Sequence, residues 1–180
     1  MAFGRPILGF SIAAMLAGSC KAGAAQLSQA QEVYERTINA VFREDVDVRR
    51  PSTVYVLNSS DTLAWLPDSS YRARSSDNPG TRLAWGDLPL HLRDSFHQIV
   101  GHSSAIEAHD LPPTARLGGD NKSRNILVSL SPIVFTPDSS QALVYVAVHC
   151  GGLCGGADIV YLRKASSGWT VAATFPTWRS

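Results

Sequence analysis

His149, Cys150 and Cys154 fall within six residues of one another in the stretch VAVHCGGLCGGADIVYL, Val146–Leu162. Two thiols and an imidazole at this spacing admit three chemistries: a disulfide, a redox-active dithiol, or a copper or zinc site with the imidazole as a third ligand. Dithiol oxidoreductases separate their cysteines by two residues and set the first at the start of a helix, which lowers its pKa. Here three residues intervene and both flanks read as strands. A hairpin that closes Cys150 on Cys154 pairs positions whose numbers total 304. That register puts Ala142, Val144, Val146, Val148, Val160 and Leu162 on the cysteine face and sends His149, Tyr145 and Leu143 to the other. The imidazole then points away from both sulfurs, and the expectation is a structural disulfide between Cys150 and Cys154. So short a loop gains only about 2 kcal/mol on the chain-entropy account, enough to stiffen a turn. Gly151, Gly152, Gly155 and Gly156 read as the residues that supply positive φ there. His149, Tyr145 and Tyr161 are candidate ligand-facing residues, with Trp169 and Trp178 as further lining of a pocket on the histidine face; the competing reading of these aromatics is core. No cofactor is expected.

Other residues carry chemistry less specifically. GHSSA, Gly101–Ala105, approaches the Gly-x-Ser-x-Gly nucleophile elbow, and Asp138 and His149 would complete the order Ser103, Asp, His of an α/β-hydrolase. That elbow needs a parallel strand before it and a helix after it, whereas the sequence downstream reads as an antiparallel meander. His91, His97, His102 and His109 lie within nineteen residues, but their spacings never repeat the i, i+4 step of a helical metal pair, so they read as solvated. Asp45 and Asp47 before Arg49 and Arg50 read as a solvated helix end.

The elements that must position these residues are clearest at the two ends. In LSQAQEVYERTINAVFRED the residues Ala30, Val33, Tyr34, Thr37, Ile38, Val41 and Phe42 recur at three- and four-residue steps, which predicts an amphipathic helix over 29–43. Ser28 and Gln31 form a capping box at its start. STVYVL predicts a strand, and residues 58–85 read as a long loop into which Trp65 and Trp85 dock. LPLHLRDSFHQIVGH carries a weak helical pattern through Leu90, Phe96 and Val100, and DLPPTARLGGDNKSR reads as a loop. Four strands then follow in NILVSLSPIVFT, QALVYVAVHC, ADIVYLRKA and WTVAATFPTW, with Pro132 marking an edge or a bulge in the first and Asp138 capping its own turn. The fold class is therefore α+β, an N-terminal amphipathic helix packed on a mainly antiparallel curved sheet that ends in a C-terminal β-meander. The arrangement resembles the cone-shaped folds of the cystatin and nuclear-transport-factor type, which host enzymes and binders alike.

Arg5, the apolar run Ile7–Ala17 and the small residues of GSCKAGAA predict an export signal over residues 1–25, cleaved near Ala24 or Ala25, and a single domain over 26–180. The alternative is a lipoprotein signal with lipidation at Cys20, a lipid anchor in place of a transmembrane helix; Leu16 sits four residues before Cys20 where the lipobox leucine sits three before. About eleven apolar residues are too few to span a bilayer. Removing residues 1–25 takes away Arg5 and Lys21 and changes the formal charge from +1 to −1. With no basic run there is no electrostatic footprint for nucleic acid. The C-terminal fifty residues, through Phe135, Asp138, Ala142, Tyr145, Cys150–Gly155, Tyr161, Leu162, Lys164, Gly168, Trp169, Val171, Trp178 and Ser180, resemble small exported bacterial proteins with a CGGLCG hairpin, a tyrosine strand and a GxW strand. The resemblance covers under a third of the chain; it implies a common hairpin and carries over no catalytic residue. The function expected is a non-enzymatic binding or interaction domain of the periplasm or envelope. The alternatives are a thiol-redox or copper-handling protein using Cys150 and Cys154, and a hydrolase using Ser103.

Overall fold

The structure, a computed structural model, describes residues 27–44, 51–57, 67–75, 82–100, 106–118, 126–150 and 154–179. The signal region with Cys20, the charged pairs Asp45/Asp47 and Arg49/Arg50, Trp65, His102 and Ser103 lie outside the described residues.

Helix α1, Gln29–Glu44, begins where its cap dictates. Ser28 N–H donates to Gln31 Oε1 at 2.9 Å, and Gln31 N–H donates to Ser28 Oγ at 3.2 Å, the reciprocal pair of a capping box. Its apolar stripe is buried: Val33, Tyr34, Thr37, Ile38 and Val41 are each at most 5% exposed. The stripe packs on β7 (Gln141–His149), β8 (Gly155–Ala165) and β9 (Gly168–Arg179), three long antiparallel strands at the centre of a nine-stranded sheet. The remaining strands are β1 (Val54–Val56), β2 (Arg72–Ser75), β3 (Arg82–Ala84), β4 (Ala115–Leu117), β5 (Leu127–Leu130) and β6 (Val134–Phe135). The order is β3-β2-β9-β8-β7-β5-β1-β4, with β6 also paired to β7. All contacts are antiparallel except those of β1, which runs parallel to both β4 and β5. The fold is α+β with a helix packed against the sheet.

Pro132 splits the strand read over 125–136 into β5 and β6. Leu127 pairs with His149 and Leu130 with Val146, whereas Val134 pairs with Leu143, so one extra residue is accommodated between them, as in a β-bulge. Tyr145 N–H donates to Ser131 Oγ at 2.9 Å rather than to the Ser131 carbonyl. That carbonyl accepts the buried Tyr34 hydroxyl at 3.1 Å, which ties α1 to the sheet at the bulge. Burial, followed by the nearby Asp110 charge, raises the Tyr34 pKa well above its ordinary value of 10. Because the folded phenol holds its proton more tightly than the unfolded one, this contribution is complete below pH 10 and is lost as pH rises beyond it. Tyr34→Phe is expected to cost about 1–2 kcal/mol at neutral pH for the lost bond. The variant should also lose part of the alkaline destabilisation, which urea midpoints measured at neutral and alkaline pH will show.

Both sheet faces are covered. On the α1 side, Ala142, Val144, Val146, Val148, Val160 and Leu162 pack with the helix stripe and Trp169. On the other side, Leu143, Tyr145, Ala147, Ile159, Tyr161 and Phe175 pack under Trp85 and under Leu92 and Phe96 of α2, Leu90–Val100. This second layer corrects the reading of a histidine face only partly covered. Residues 58–85 and 108–117, read as loops, contain β2, β3 and β4 and the 3-10 turns Trp85–Asp87 and Ala108–Asp110. Trp85 docks as expected, at 1% exposure, and Leu90, assigned to the apolar pattern of α2, is 63% exposed.

Candidate functional site

The β7–β8 hairpin has the register its cysteines imply, from Gln141 opposite Arg163 to His149 opposite Gly155. Cys150 and Cys154 are disulfide-bonded with their Cα atoms 5.2 Å apart, and Cys150 N–H donates to the Cys154 carbonyl at 3.2 Å. The bridge lies beyond Val148 on the α1 side. His149 lies on the opposite face, where its Nε2 is 3.2 Å from Ser129 Oγ. Thiols and imidazole are therefore not aimed at a common point.

The glycines act differently from the expectation of positive φ. Gly155 and Gly156 are extended strand residues, and Gly151 and Gly152 lie outside the described residues. What Gly155 provides is close approach: an added Cβ would stand 2.8 Å from the Val148 carbonyl oxygen and 3.2 Å from Cη2 of Trp178. At Gly156 the neighbour is the Arg179 side chain, 2.8 Å from the Cβ position at its Cδ.

Trp178 and Arg179 reach these positions through an irregularity in β9. Asp158 pairs with Pro176 but Ala157 pairs with Trp178, leaving Thr177 extra, its hydroxyl donating to the Ala157 carbonyl at 2.9 Å. A one-residue bulge inverts which face the following side chains take. Trp178 thus joins the face of Phe175, Tyr145 and His149: its Nε1–H is 3.4 Å from the Tyr145 hydroxyl oxygen, and its ring lies 6.2 Å from the imidazole. Arg179 joins the opposite face. One Nη donates to the carbonyls of Ala157 and Trp178 at 2.8 and 2.9 Å, the other to Asp158 Oδ1 at 2.7 Å, and the Asp158 side chain is only 7% exposed. Trp178 itself is 39% exposed, an indole seated on backbone with one face toward solvent.

The structure brings some of the candidate residues together and separates others. Cys150 joins Cys154, and His149 joins Tyr145 and Trp178. Tyr161, 1% exposed, is further along the same face, donating to Gln141 Oε1 at 2.6 Å and accepting from Arg163 Nε at 2.9 Å. Trp169 is on the other face, stacked near Phe135 under α1, so it does not share a pocket with His149. The Asp–His half of the hydrolase triad is not assembled. Asp138 precedes β7 and His149 ends it, roughly 27 Å apart along a nine-residue strand. Asp138 instead accepts from the Thr136 and Ser140 hydroxyls, at 2.5 and 2.7 Å, and from the Ser140 amide, bonds that lower its pKa to about 2. His91, His97 and His109 are exposed; His97 lies beside Trp85, and His109 sits between Glu107 and Asp110. Among the described residues, no group of three His, Cys, Asp or Glu side chains is placed to hold a metal ion. No helix of the described residues is long and apolar enough to cross a membrane.

The sequence reading found Cys150, Cys154, His149 and Tyr145 but missed the bulge at Thr177 and the Asp158–Arg179 pair. The one signal for the latter is an aspartate in an apolar strand face two residues from Val160, which demands a cation partner. Compared with protein-family models, curated proteins and solved structures, the chain matches none.

Proposed function

We propose that this chain is an exported, non-enzymatic binding domain of the periplasm or cell envelope, whose contact point is the corner formed by Trp178, His149 and Tyr145 beside the disulfide. The observation that carries this reading is the half-exposed Trp178 ring, set on Gly155 and oriented by the Tyr145 hydroxyl. A large aromatic that is already held in place loses little conformational freedom on binding, which is why tryptophan dominates binding hot spots. The bonded cysteines favour this reading over thiol-redox or copper handling, since both alternatives need thiolates.

The test is a fluorescence titration of the native protein with chitotriose, a probe whose pyranose rings offer an apolar C–H face to an indole. A saturable change in tryptophan emission, absent in a folded Trp178→Ala variant, is the expected result. Catalysed reduction of a protein disulfide, or tight copper uptake, each abolished in Cys150→Ser, would overturn the reading in favour of the thiol alternative. So would a chitotriose response that persists in Trp178→Ala or no response at all.

A further inference from the structure

The β2–β3 hairpin gathers arginines that are scattered in the sequence. In its register Arg74 stands opposite Arg82, and Arg72 stands opposite Ala84. Arg72 and Arg74 are two residues apart on β2 and share a face, which is the face opposite buried Ala73. Diagonal neighbours on paired strands are about 7–8 Å apart, so three cationic positions fall within one small area of strand. Arg72 and Arg82 are exposed. A like-charge pair directly opposite across a sheet is destabilising, so the arrangement does not serve the fold. Local acids do not neutralise it. The Asp68 carboxylate accepts from the amide and hydroxyl of Ser70, and the Asp87 carboxylate accepts from the Ala84 amide at 3.0 Å. Among the described residues neither Arg72 nor Arg82 makes an ion pair. β2 is itself fixed to the central sheet, Arg74 pairing with Thr174 of β9, so the patch is held in place.

We propose that this arginine face of the β2–β3 hairpin docks the protein on an anionic phospholipid surface. Guanidinium groups bind phosphodiesters in bidentate fashion, and three on an open strand face suit a layer of headgroups. The choice of a membrane as the source of phosphate rests on the export reading, which places the chain beside one. The formal charge expected after removal of residues 1–25 is −1, so attraction comes from this local patch and not from the chain as a whole.

The experiment is co-sedimentation of the purified protein with phosphatidylglycerol-containing vesicles and with pure phosphatidylcholine vesicles. Binding to the first, weakened by added salt, is the expected result. The variant R72Q/R74Q/R82Q should bind about a hundredfold more weakly, from about fivefold for each arginine near the surface, while R72K/R74K/R82K stays within a few-fold of wild type. R72Q alone, at an exposed position, supplies the fivefold step should the triple variant fold poorly. Equal binding to phosphatidylcholine, or affinity unchanged in the glutamine variants, would overturn the proposal. Binding of inorganic polyphosphate without vesicle binding would overturn it too, by making the patch a site for soluble anions. Vesicle binding is read on purified protein, so its failure is separable from failure of the export reading, which the mature N-terminus tests.

Discussion

Gly168→Ala should destabilise the protein by about 3 kcal/mol, with a matching fall in the urea midpoint. Gly168 closes the β8–β9 hairpin at a φ of +111°, a region that costs a side chain about 1–3 kcal/mol. An added Cβ would also overlap Glu32 Oε1. That carboxylate, in the first turn of α1, accepts the Trp169 amide at 2.9 Å, so α1 is fastened to the hairpin by a charge-assisted bond worth about 1.5–3 kcal/mol. The two terms predict a specific coupling. Glu32→Ala in the Gly168→Ala background should cost much less than it does in wild type, because the clash and the lost bond involve the same carboxylate. Full additivity in the double-mutant cycle would mean that Glu32 and Gly168 do not meet.

Trp85→Ala is expected to cost about 3–5 kcal/mol, a large share of a domain's usual 5–15 kcal/mol. Its ring is 1% exposed and packs edge-on to Phe175 at 5.2 Å and to Phe96 at 6.0 Å, so it joins the sheet to α2. The 3-10 turn that carries it is anchored twice: Trp85 N–H donates to the Tyr71 carbonyl at 2.7 Å, and Gly86 N–H donates to the Ser69 carbonyl at 3.0 Å. A Cβ at Gly86 would come within 2.8 Å of that same carbonyl oxygen, so the turn lies directly on the 67–70 segment. Trp85→Phe, which keeps an aromatic body in the site, should recover a good part of the loss. Denaturant unfolding distinguishes the three proteins, and a Trp85→Ala midpoint close to wild type would show that the second layer does not hold the sheet.

What the sequence made legible was local or periodic. The Ser28–Gln31 box, the stripe of α1 and the Pro132 bulge each depend on residues a few positions apart, and the β7–β8 register followed from two cysteines and strict alternation. The short strands were not legible, because three or four residues such as VYV, RLA and ARL are too few for a period-two pattern to emerge. Nor was the parallel pairing of β1, whose partners β4 and β5 lie some sixty and seventy residues further on. At the corner, His149 and Tyr145 were placed on the correct face by counting. Trp178 reached that face only through the extra Thr177, an irregularity that alternation cannot anticipate. The arginine patch was hidden for a similar reason: nothing in RARS or RLAW announces that Arg74 and Arg82 become neighbours until β2 and β3 pair.

The account depends on the two sulfurs being joined, so that the corner is a fixed surface and the thiols do no chemistry. The direct measurement is intact mass of the native protein, purified from its own envelope, after iodoacetamide treatment without reductant. The account predicts a mature chain with two hydrogens missing and no carbamidomethyl group on Cys150 or Cys154, and two such groups once the protein is reduced and unfolded. Two groups added to the native protein before any reduction would contradict it, and would return the pair to the thiolate chemistries that the hairpin register argues against.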